Sequence, residues 1–240
     1  MIHTNFPGFR GDFKNCTSVV LGEKNMAALT NGTTIFMGTD FLQLGCRIGK
    51  YIKIASGNGH CVILHESGTV LTWIFDNNQL DDCPTNKGFI DIACGYSHSV
   101  ALRNDGTIIT WGNNDKNQRN NSPSSTDYIA IACGWYHSVA LKKDGRIVTW
   151  GSNMWKQLSD SPGGKKYIAI ACGRYHSVAL HSNGRIATWG DNNSGQRRNL
   201  PHPDNYIATS LRCCDSYSVI LKEDGRLVTW GNNRNLDINL

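Results

Sequence analysis

One segment of the chain recurs along its whole length. It reads IACGWYHSVALKKDGRIVTWG at residues 131–151 and IACGRYHSVALHSNGRIATWG at residues 170–190. More divergent copies occupy residues 19–38, 54–74, 92–112 and 210–231. Self-similarity at a fixed period is the signature of a repeat architecture, so the repeat constrains the fold before any single residue is considered for chemistry.

The spacing of the copies gives the repeat length. Residues at the His position of Gly-x-x-His-Ser are separated by 35, 38, 39, 39 and 41 residues. These residues are Asn25, His60, His98, His137, His176 and Tyr217. A period of about 39 residues is typical of a blade of three or four strands. The sequence therefore predicts an all-β chain, a β-propeller with six visible repeats and six or seven blades.

The copies leave no room for a second domain, so we expect one propeller domain over residues 1–240. Its repeats run approximately over residues 13–50, 51–88, 89–127, 128–166, 167–205 and 206–240. Residues 1–12 or the tail 236–240 are candidates for a strand that closes the ring, because an open ring leaves exposed strand edges.

Each copy predicts three short strands. In the fifth copy these are Tyr167–Cys172, His176–Leu180 and Arg185–Trp189, and Asn183-Gly184 supplies the hairpin turn between the last two. Segments rich in Asn, Ser, Pro and charge connect the copies and are predicted to be surface loops: 113–127, 152–166 and 191–205.

Two sets of repeated residues are interpreted as structural. A Trp follows each hairpin Gly by five residues and is expected to pack between blades: Trp73, Trp111, Trp150, Trp189 and Trp230. A His precedes a Ser in three copies and is expected to join strands by hydrogen bonds: His98, His137 and His176. Because every Ser-His pair is a repeat feature, no nucleophile and base can be assigned. We expect no catalytic activity and no cofactor.

Cysteine and charge exclude other classes of site. Four of the nine cysteines share one repeat position and are expected to be small buried residues: Cys94, Cys133, Cys172 and Cys213. No C-x-x-C pair exists, so we expect no metal site. The net charge of +5 is a mild excess. The amino terminus has no apolar core of signal-peptide length, which predicts an intracellular, non-secreted protein.

Function is expected where the repeats differ. The two residues before the His position should share one rim of the ring, and Tyr, Trp and Arg are enriched in binding hot spots. The first candidate surface is therefore Tyr96, Trp135, Tyr136, Arg174 and Tyr175. A second, basic candidate is expected on the opposite side, in the long loops: Lys116, Arg119, Trp155, Lys156, Arg197 and Arg198.

The combination A-C-G-x-x-H-S-V-A-L, D-G and T-W-G resembles the repeat of the regulator of chromosome condensation family. The resemblance covers six copies and implies a β-propeller. Guanine-nucleotide exchange in this family uses a wedge inserted in the propeller, and no copy here carries such an insertion. Compact members also occur in large DNA viruses, so the resemblance allows a viral source and a virion-associated location.

We therefore predict a non-catalytic scaffold that recognises a protein partner through one rim and its loops. The alternatives implied by the family are exchange-factor activity on a small GTPase, association with chromatin, and inhibition of an enzyme. Nucleic acid is the less favoured partner, and neither a membrane nor a small-molecule substrate is expected.

Overall fold

The architecture comes from a computed structural model that describes residues 16–21, 25–30, 33–38, 45–47, 49–74 and 82–232. The terminal segments expected to close the ring, 1–12 and 236–240, lie outside these residues. The side chains of Asn25 and Met37 are likewise not described.

The described residues form six antiparallel sheets, one for each copy of the repeat. The first sheet has four strands: β1 (Cys16–Leu21), β2 (Asn25–Thr30), β3 (Thr33–Gly38) and β4 (Gly45–Arg47). The second has three: β5 (Tyr51–Ser56), β6 (His60–His65) and β7 (Val70–Ile74). The third contains β8 (Phe89–Cys94), β9 (His98–Arg103) and β10 (Ile108–Gly112).

The remaining sheets repeat the three-stranded pattern. The fourth contains β11 (Tyr128–Cys133), β12 (His137–Lys142) and β13 (Ile147–Gly151). The fifth contains β14 (Tyr167–Cys172), β15 (His176–His181) and β16 (Ile186–Gly190). The sixth contains β17 (Arg212–Cys213), β18 (Tyr217–Leu221) and β19 (Leu227–Gly231), and a 3-10 helix (Ala208–Ser210) precedes its short first strand.

Strand polarity gives each sheet two distinct ends. In the fourth sheet β12 lies between β11 and β13 and is antiparallel to both, with Cys133 opposite Ser138 and His137 opposite Gly151. The hairpin Gly145, with φ of 80°, lies at the other end. The Gly-x-x-His turns and the ends of the third strands therefore share one end, and the hairpin turns occupy the other.

The sheets pack in sequence around a centre. The first strands β5, β8, β11 and β14 contact one another in order, which places them innermost. The core lies between neighbouring sheets, as in the cluster formed by Val100 and Leu102 of the third sheet with Ile131 and Trp150 of the fourth. The predicted all-β propeller is confirmed, with six sheets among the described residues.

A β-bulge recurs near the start of the first strand. Register shifts fall at the same place in β5, β8, β11 and β14. The residue inside each bulge turns outward, because a bulge leaves one residue unpaired and rotates the strand locally. These residues are exposed isoleucines: Ile52 (58%), Ile90 (53%), Ile129 (54%) and Ile168 (48%).

Candidate functional site at the mouth of the ring

The Gly-x-x-His turns of consecutive sheets are joined by backbone hydrogen bonds. The Tyr96 N–H donates to the Trp135 carbonyl oxygen (2.9 Å), and the Trp135 N–H donates to that of Arg174 (3.0 Å). The Asn58 N–H donates to Tyr96 (2.9 Å), and the Arg174 N–H donates to Asp215 (3.4 Å). This ladder brings the variable residue after each Gly to one central position.

Glycine is required where these turns touch. A Cβ on Gly134 would overlap the His137 ring and lie 2.8 Å from the Gly173 carbonyl oxygen. Gly95 is crowded in the same way by the His98 ring and the Gly134 carbonyl oxygen. In the sixth sheet the position is occupied by Cys214, which is exposed. The repeated Gly is thus a packing requirement between adjacent sheets.

The repeated His and Ser form bonds between sheets below the turns. Nε2 of His98 is hydrogen-bonded to Oγ of Ser138 (2.8 Å), and Nε2 of His137 to Oγ of Ser177 (2.7 Å). The same bond joins His60 to Ser99 (2.9 Å) and His176 to Ser218 (2.9 Å). Four pairs therefore join five consecutive sheets.

Burial keeps these histidines neutral. It lowers the pKa of His98 to about 3, with a further decrease from the neighbouring His137 and His60. It lowers the pKa of His137 to about 3 and that of His176 to about 4. Desolvation disfavours the charged imidazolium, so the bonds are made by neutral rings at neutral pH.

The five residues of the first candidate surface lie together. We call Tyr96, Trp135, Tyr136, Arg174 and Tyr175 the mouth cluster. The ring centroids of Tyr96 and Trp135 are 4.7 Å apart, and those of Trp135 and Tyr175 are 5.7 Å apart. Tyr136 lies 5.5 Å from Tyr96 and 6.2 Å from Tyr175. All five are half-buried, so they form one continuous, partly accessible surface.

Arg174 stacks within this cluster. Its guanidinium carbon lies 3.4 Å from the Trp135 ring centroid and 5.2 Å from that of Tyr175. Such cation–π contacts hold a guanidinium flat against the rings. Among the described residues the Arg174 side chain has no ion-pair partner, and its Nε is buried without a hydrogen bond.

A central cavity of about 560 Å³ opens beside the cluster. Its wall contains Tyr96, Trp135 and Arg174, together with Asn58 and Asp215. The four repeated cysteines also line it, so they surround the centre of the ring. Burial raises the pKa of the Cys133 and Cys213 thiols to about 12, which keeps both protonated and poorly nucleophilic.

The long loops do not lie opposite the mouth cluster as the sequence analysis expected. The Ser152 N–H donates to the Tyr136 carbonyl oxygen (2.8 Å), and the Trp155 ring centroid lies 6.1 Å from that of Tyr175. The prediction was wrong because each third strand runs toward the mouth, so its loop begins there. Trp155 (38% exposed) and Met154 (70% exposed) extend the cluster outward. Of these two residues, the sequence analysis selected Trp155 and not Met154.

The basic loop residues differ in their partners. Arg119 pairs with Asp82 of the preceding loop (2.8 Å), and Arg197 pairs with Asp160 (2.8 Å). Lys116, Lys156 and Arg198 are exposed and form no ion pair with a described residue. Two of the five basic groups are thus already paired to acids.

The repeated tryptophans lie between sheets. Four are almost completely buried: Trp111, Trp150, Trp189 and Trp230. Trp73 is only partly buried and packs against the cluster that contains Tyr51 and Ile63. The Trp189 indole N–H donates to the Gln157 carbonyl oxygen (2.8 Å), and that of Trp111 donates to Oγ1 of Thr72 (3.2 Å).

The described residues contain no group of three or more His, Cys, Asp or Glu placed to hold a metal ion. Over the same residues, no helix is long and apolar enough to cross a membrane.

The repeat itself matches a known family. Residues 89–118, 128–153 and 167–196 match the model of the regulator of chromosome condensation (RCC1) repeat. The chain therefore contains RCC1-like repeats. Its RCC1 repeats are the third, fourth and fifth copies, which carry the complete Gly-x-x-His-Ser motif and the mouth cluster. Among curated protein sequences, none matches the chain.

Solved structures share the propeller. The ectodomain of the receptor kinase ACR4 from Arabidopsis thaliana has a TM-score of 0.73 at 18% identity over 90% of this chain and 80% of its own. The CR4 ectodomain from Physcomitrella patens gives 0.71 at 19%, over 90% of this chain and 62% of its own. Yeast RCC1 (Prp20), solved bound to Kap60, has a TM-score of 0.70 at 19% identity over 90% of this chain and 70% of its own. The chain thus spans less than two thirds of the length of the CR4 ectodomain from Physcomitrella patens.

Proposed function

We propose that this RCC1-like propeller is a non-catalytic scaffold that binds a protein partner through the mouth cluster and the adjoining loop residues Met154 and Trp155. The observation that carries the proposal is the contact between Trp155 and Tyr175, which joins the exposed loop to the rings around the cavity. One apolar, partly accessible surface results, on the end of the ring where the repeats differ most.

The composition of this surface supports protein binding. Tyr, Trp and Arg are enriched in interface hot spots, and the aromatic rings bury a large area with few rotatable bonds. The rings of the mouth cluster already restrain one another, so little entropy is lost when a partner covers them. The repeated strands and their His–Ser bonds hold this surface rigid.

A structural relative supports the same class of partner. Prp20 has been solved in complex with Kap60, and a second study of it describes binding to Gsp1p and histones. Only the class of ligand, a protein, is carried over to this chain, because the identities are 19% and 17%.

The test is a capture experiment with two matched variants. One bait carries Tyr136→Ser and Tyr175→Ser, since Ser97 and Ser216 occupy the equivalent positions in other copies. The other carries Ile129→Ser and Ile168→Ser, which removes two exposed apolar residues from the same two sheets at their other end. A partner lost only with the tyrosine variant supports the proposal. A partner lost only with the isoleucine variant contradicts it.

The family alternatives have their own assays. Stimulated release of a fluorescent nucleotide from a small GTPase by the purified chain would establish exchange activity. Nucleosome binding that weakens steeply with salt would establish chromatin association. Inhibition of an enzyme would appear as a captured hydrolase whose activity falls with the wild-type chain and not with the tyrosine variant.

A further inference from the structure

The strongest unexplained feature is the charge of Arg174 at the central cavity. It stacks on Trp135 and Tyr175, its Nε is buried without a partner, and no described carboxylate pairs with it. An arginine presents five donors in a fixed fork that matches a carboxylate. Two rings that desolvate the guanidinium strengthen any charge-assisted bond it makes.

We propose that the partner inserts a carboxylate into this cavity, onto Arg174, and places an apolar side chain against Met154 and Trp155. This inference rests on the proposed function and names the chemistry of the segment that binds. The ligand is an acidic side chain, Asp or Glu, of a polypeptide.

The geometry limits the spacing within that segment. The Arg174 guanidinium carbon and the Trp155 ring lie 5.2 and 6.1 Å from the Tyr175 ring centroid, so they are at most about 11 Å apart. An extended chain rises by about 3.3 Å per residue. In an extended segment, the carboxylate and the apolar residue are therefore separated by no more than about three positions.

The charges around the cavity favour a single carboxylate over a nucleic-acid backbone. Among the described residues of its wall, two are charged: Arg174 and Asp215. The exposed loop cations that form no ion pair with a described residue, Lys116, Lys156 and Arg198, do not line the cavity. A phosphate backbone needs a row of unpaired cations, whereas one guanidinium is sufficient for one carboxylate.

Comparison of the three loops 113–127, 152–166 and 191–205 shows how this surface differs between copies. Met154 and Trp155 correspond to Asp115 and Lys116 in the third copy and to Asn193 and Ser194 in the fifth. Among these three loops, the apolar pair therefore occurs in the one that contacts Tyr175, although the three share one backbone conformation. Each has a residue with positive φ at the same place: Asn117, Lys156 and Gly195.

The test starts from a phage-displayed library of random nine-residue peptides selected on the whole chain. We expect selected peptides to carry Asp or Glu within three positions of an apolar residue. The best peptide and its Glu→Gln (or Asp→Asn) form are then measured by fluorescence anisotropy. Neutralising the peptide carboxylate, or Arg174→Gln in the protein, is expected to weaken binding at least tenfold, whereas Arg185→Gln in the same sheet leaves it unchanged.

Asp215→Asn provides a readout that a merely structural role of Arg174 would not give. Removing this negative charge from the cavity wall is expected to tighten peptide binding several-fold, because it would repel the incoming carboxylate. Equal affinity of the acidic and neutral peptides, or competition by a single-stranded oligonucleotide that depends on Arg174, would overturn the inference in favour of an apolar or a phosphate ligand.

The same experiment separates the two proposals. Peptides that lose affinity with Tyr136→Ser and Tyr175→Ser but not with Arg174→Gln overturn the carboxylate inference and leave the mouth cluster as the binding surface. Peptides that are insensitive to both changes, or a selection that enriches no peptide dependent on the mouth cluster, contradict both proposals.

Discussion

At the scale of single residues, the amino acids that recur in successive copies are ones that contact a neighbouring sheet. Gly134 is packed between the His137 ring and the Gly173 carbonyl oxygen, and His137 is bonded to Ser177 of the next sheet. Between them lie Trp135 and Tyr136, whose rings contact Tyr96 and Tyr175 of the neighbouring sheets. The turn therefore carries repeated residues that join the ring and variable residues that surround its mouth.

Gly134→Ala is expected to destabilise the chain by about 1–3 kcal/mol, because the added Cβ must displace a ring and a backbone oxygen. Denaturant unfolding followed by circular dichroism measures the change. Gly163→Ala is the matched control, since a Cβ there has no atom within 4 Å. Equal stability of the two variants would contradict the packing account of the repeated Gly.

The buried histidines give a second residue-scale prediction, on acid stability. The pKa values of His98, His137 and His176 are lowered in the fold from an ordinary value of 6.5, so the unfolded chain binds protons first as pH falls. Their contribution is fully present above pH 6.5 and is lost progressively toward pH 3–4. The free energy of unfolding should fall by roughly 1 kcal/mol per histidine per pH unit between pH 6 and 5.

His137→Asn provides the control, because Asn25 occupies this position in the first copy and does not titrate. The slope of stability against pH between 6 and 5 should decrease by roughly 1 kcal/mol per pH unit in this variant. An unchanged slope would show that other groups cause the acid sensitivity.

At the scale of elements, the third strand and its loop form a unit whose backbone is preserved while its side chains vary. A buried glutamine fixes each loop by accepting from the backbone two residues earlier: Lys116 N–H to Gln118 (2.8 Å), Trp155 N–H to Gln157 (2.8 Å) and Ser194 N–H to Gln196 (2.9 Å). The loop of the fourth copy can therefore carry Met154 and Trp155 without a change of conformation.

Replacing Met154 and Trp155 by Asn and Ser, the residues of the fifth copy, is expected to change the free energy of unfolding by less than about 0.5 kcal/mol, since both side chains are exposed. The same variant should bind the captured partner at least tenfold more weakly. Thermal unfolding and a titration of the purified partner measure the two quantities. Unchanged affinity would place this loop outside the interface.

The sequence predicted the elements closely where local patterns decide them. Tyr167–Cys172 was predicted and is β14, whereas the predicted third strand Arg185–Trp189 is shifted by one residue, to Ile186–Gly190. The shift arises because the Arg185 N–H is bonded to Oδ1 of Asn183 in the turn and Gly190 pairs with His176. The residue pattern at the two ends of a strand does not show which residue is the first to pair, so it could not give the boundaries of this strand to one residue.

Tertiary geometry explains what the sequence could not predict. The position of Trp155 depends on the end of β13 from which its loop leaves. That end lies at the mouth because Gly151 pairs with His137, and the composition of the loop does not show this pairing. The outward orientation of Ile129 and Ile168 results from a bulge that an apolar strand pattern does not signal. The stacking of Arg174 on Trp135 joins two sheets and is invisible in either copy alone.

At the scale of the whole molecule, the ring brings equivalent residues of successive copies together on one surface. Four backbone bonds and four His–Ser bonds link consecutive sheets at one end. They bring residues about 39 positions apart in sequence into contact around the cavity. The repeated residues thus join the sheets of the ring, and we propose that the residues that differ, from Tyr96 to Tyr175, determine what it binds.

Amide hydrogen exchange of the chain with and without its captured partner tests this account most directly. We expect slower exchange in the partner complex at the turns 134–136 and 173–175 and in the loop 153–158, and no change at the strand starts 128–130 and 167–169. Protection confined to those strand starts or to the hairpin turns 143–146 and 182–185 would place the interface on the other end of the ring and contradict it.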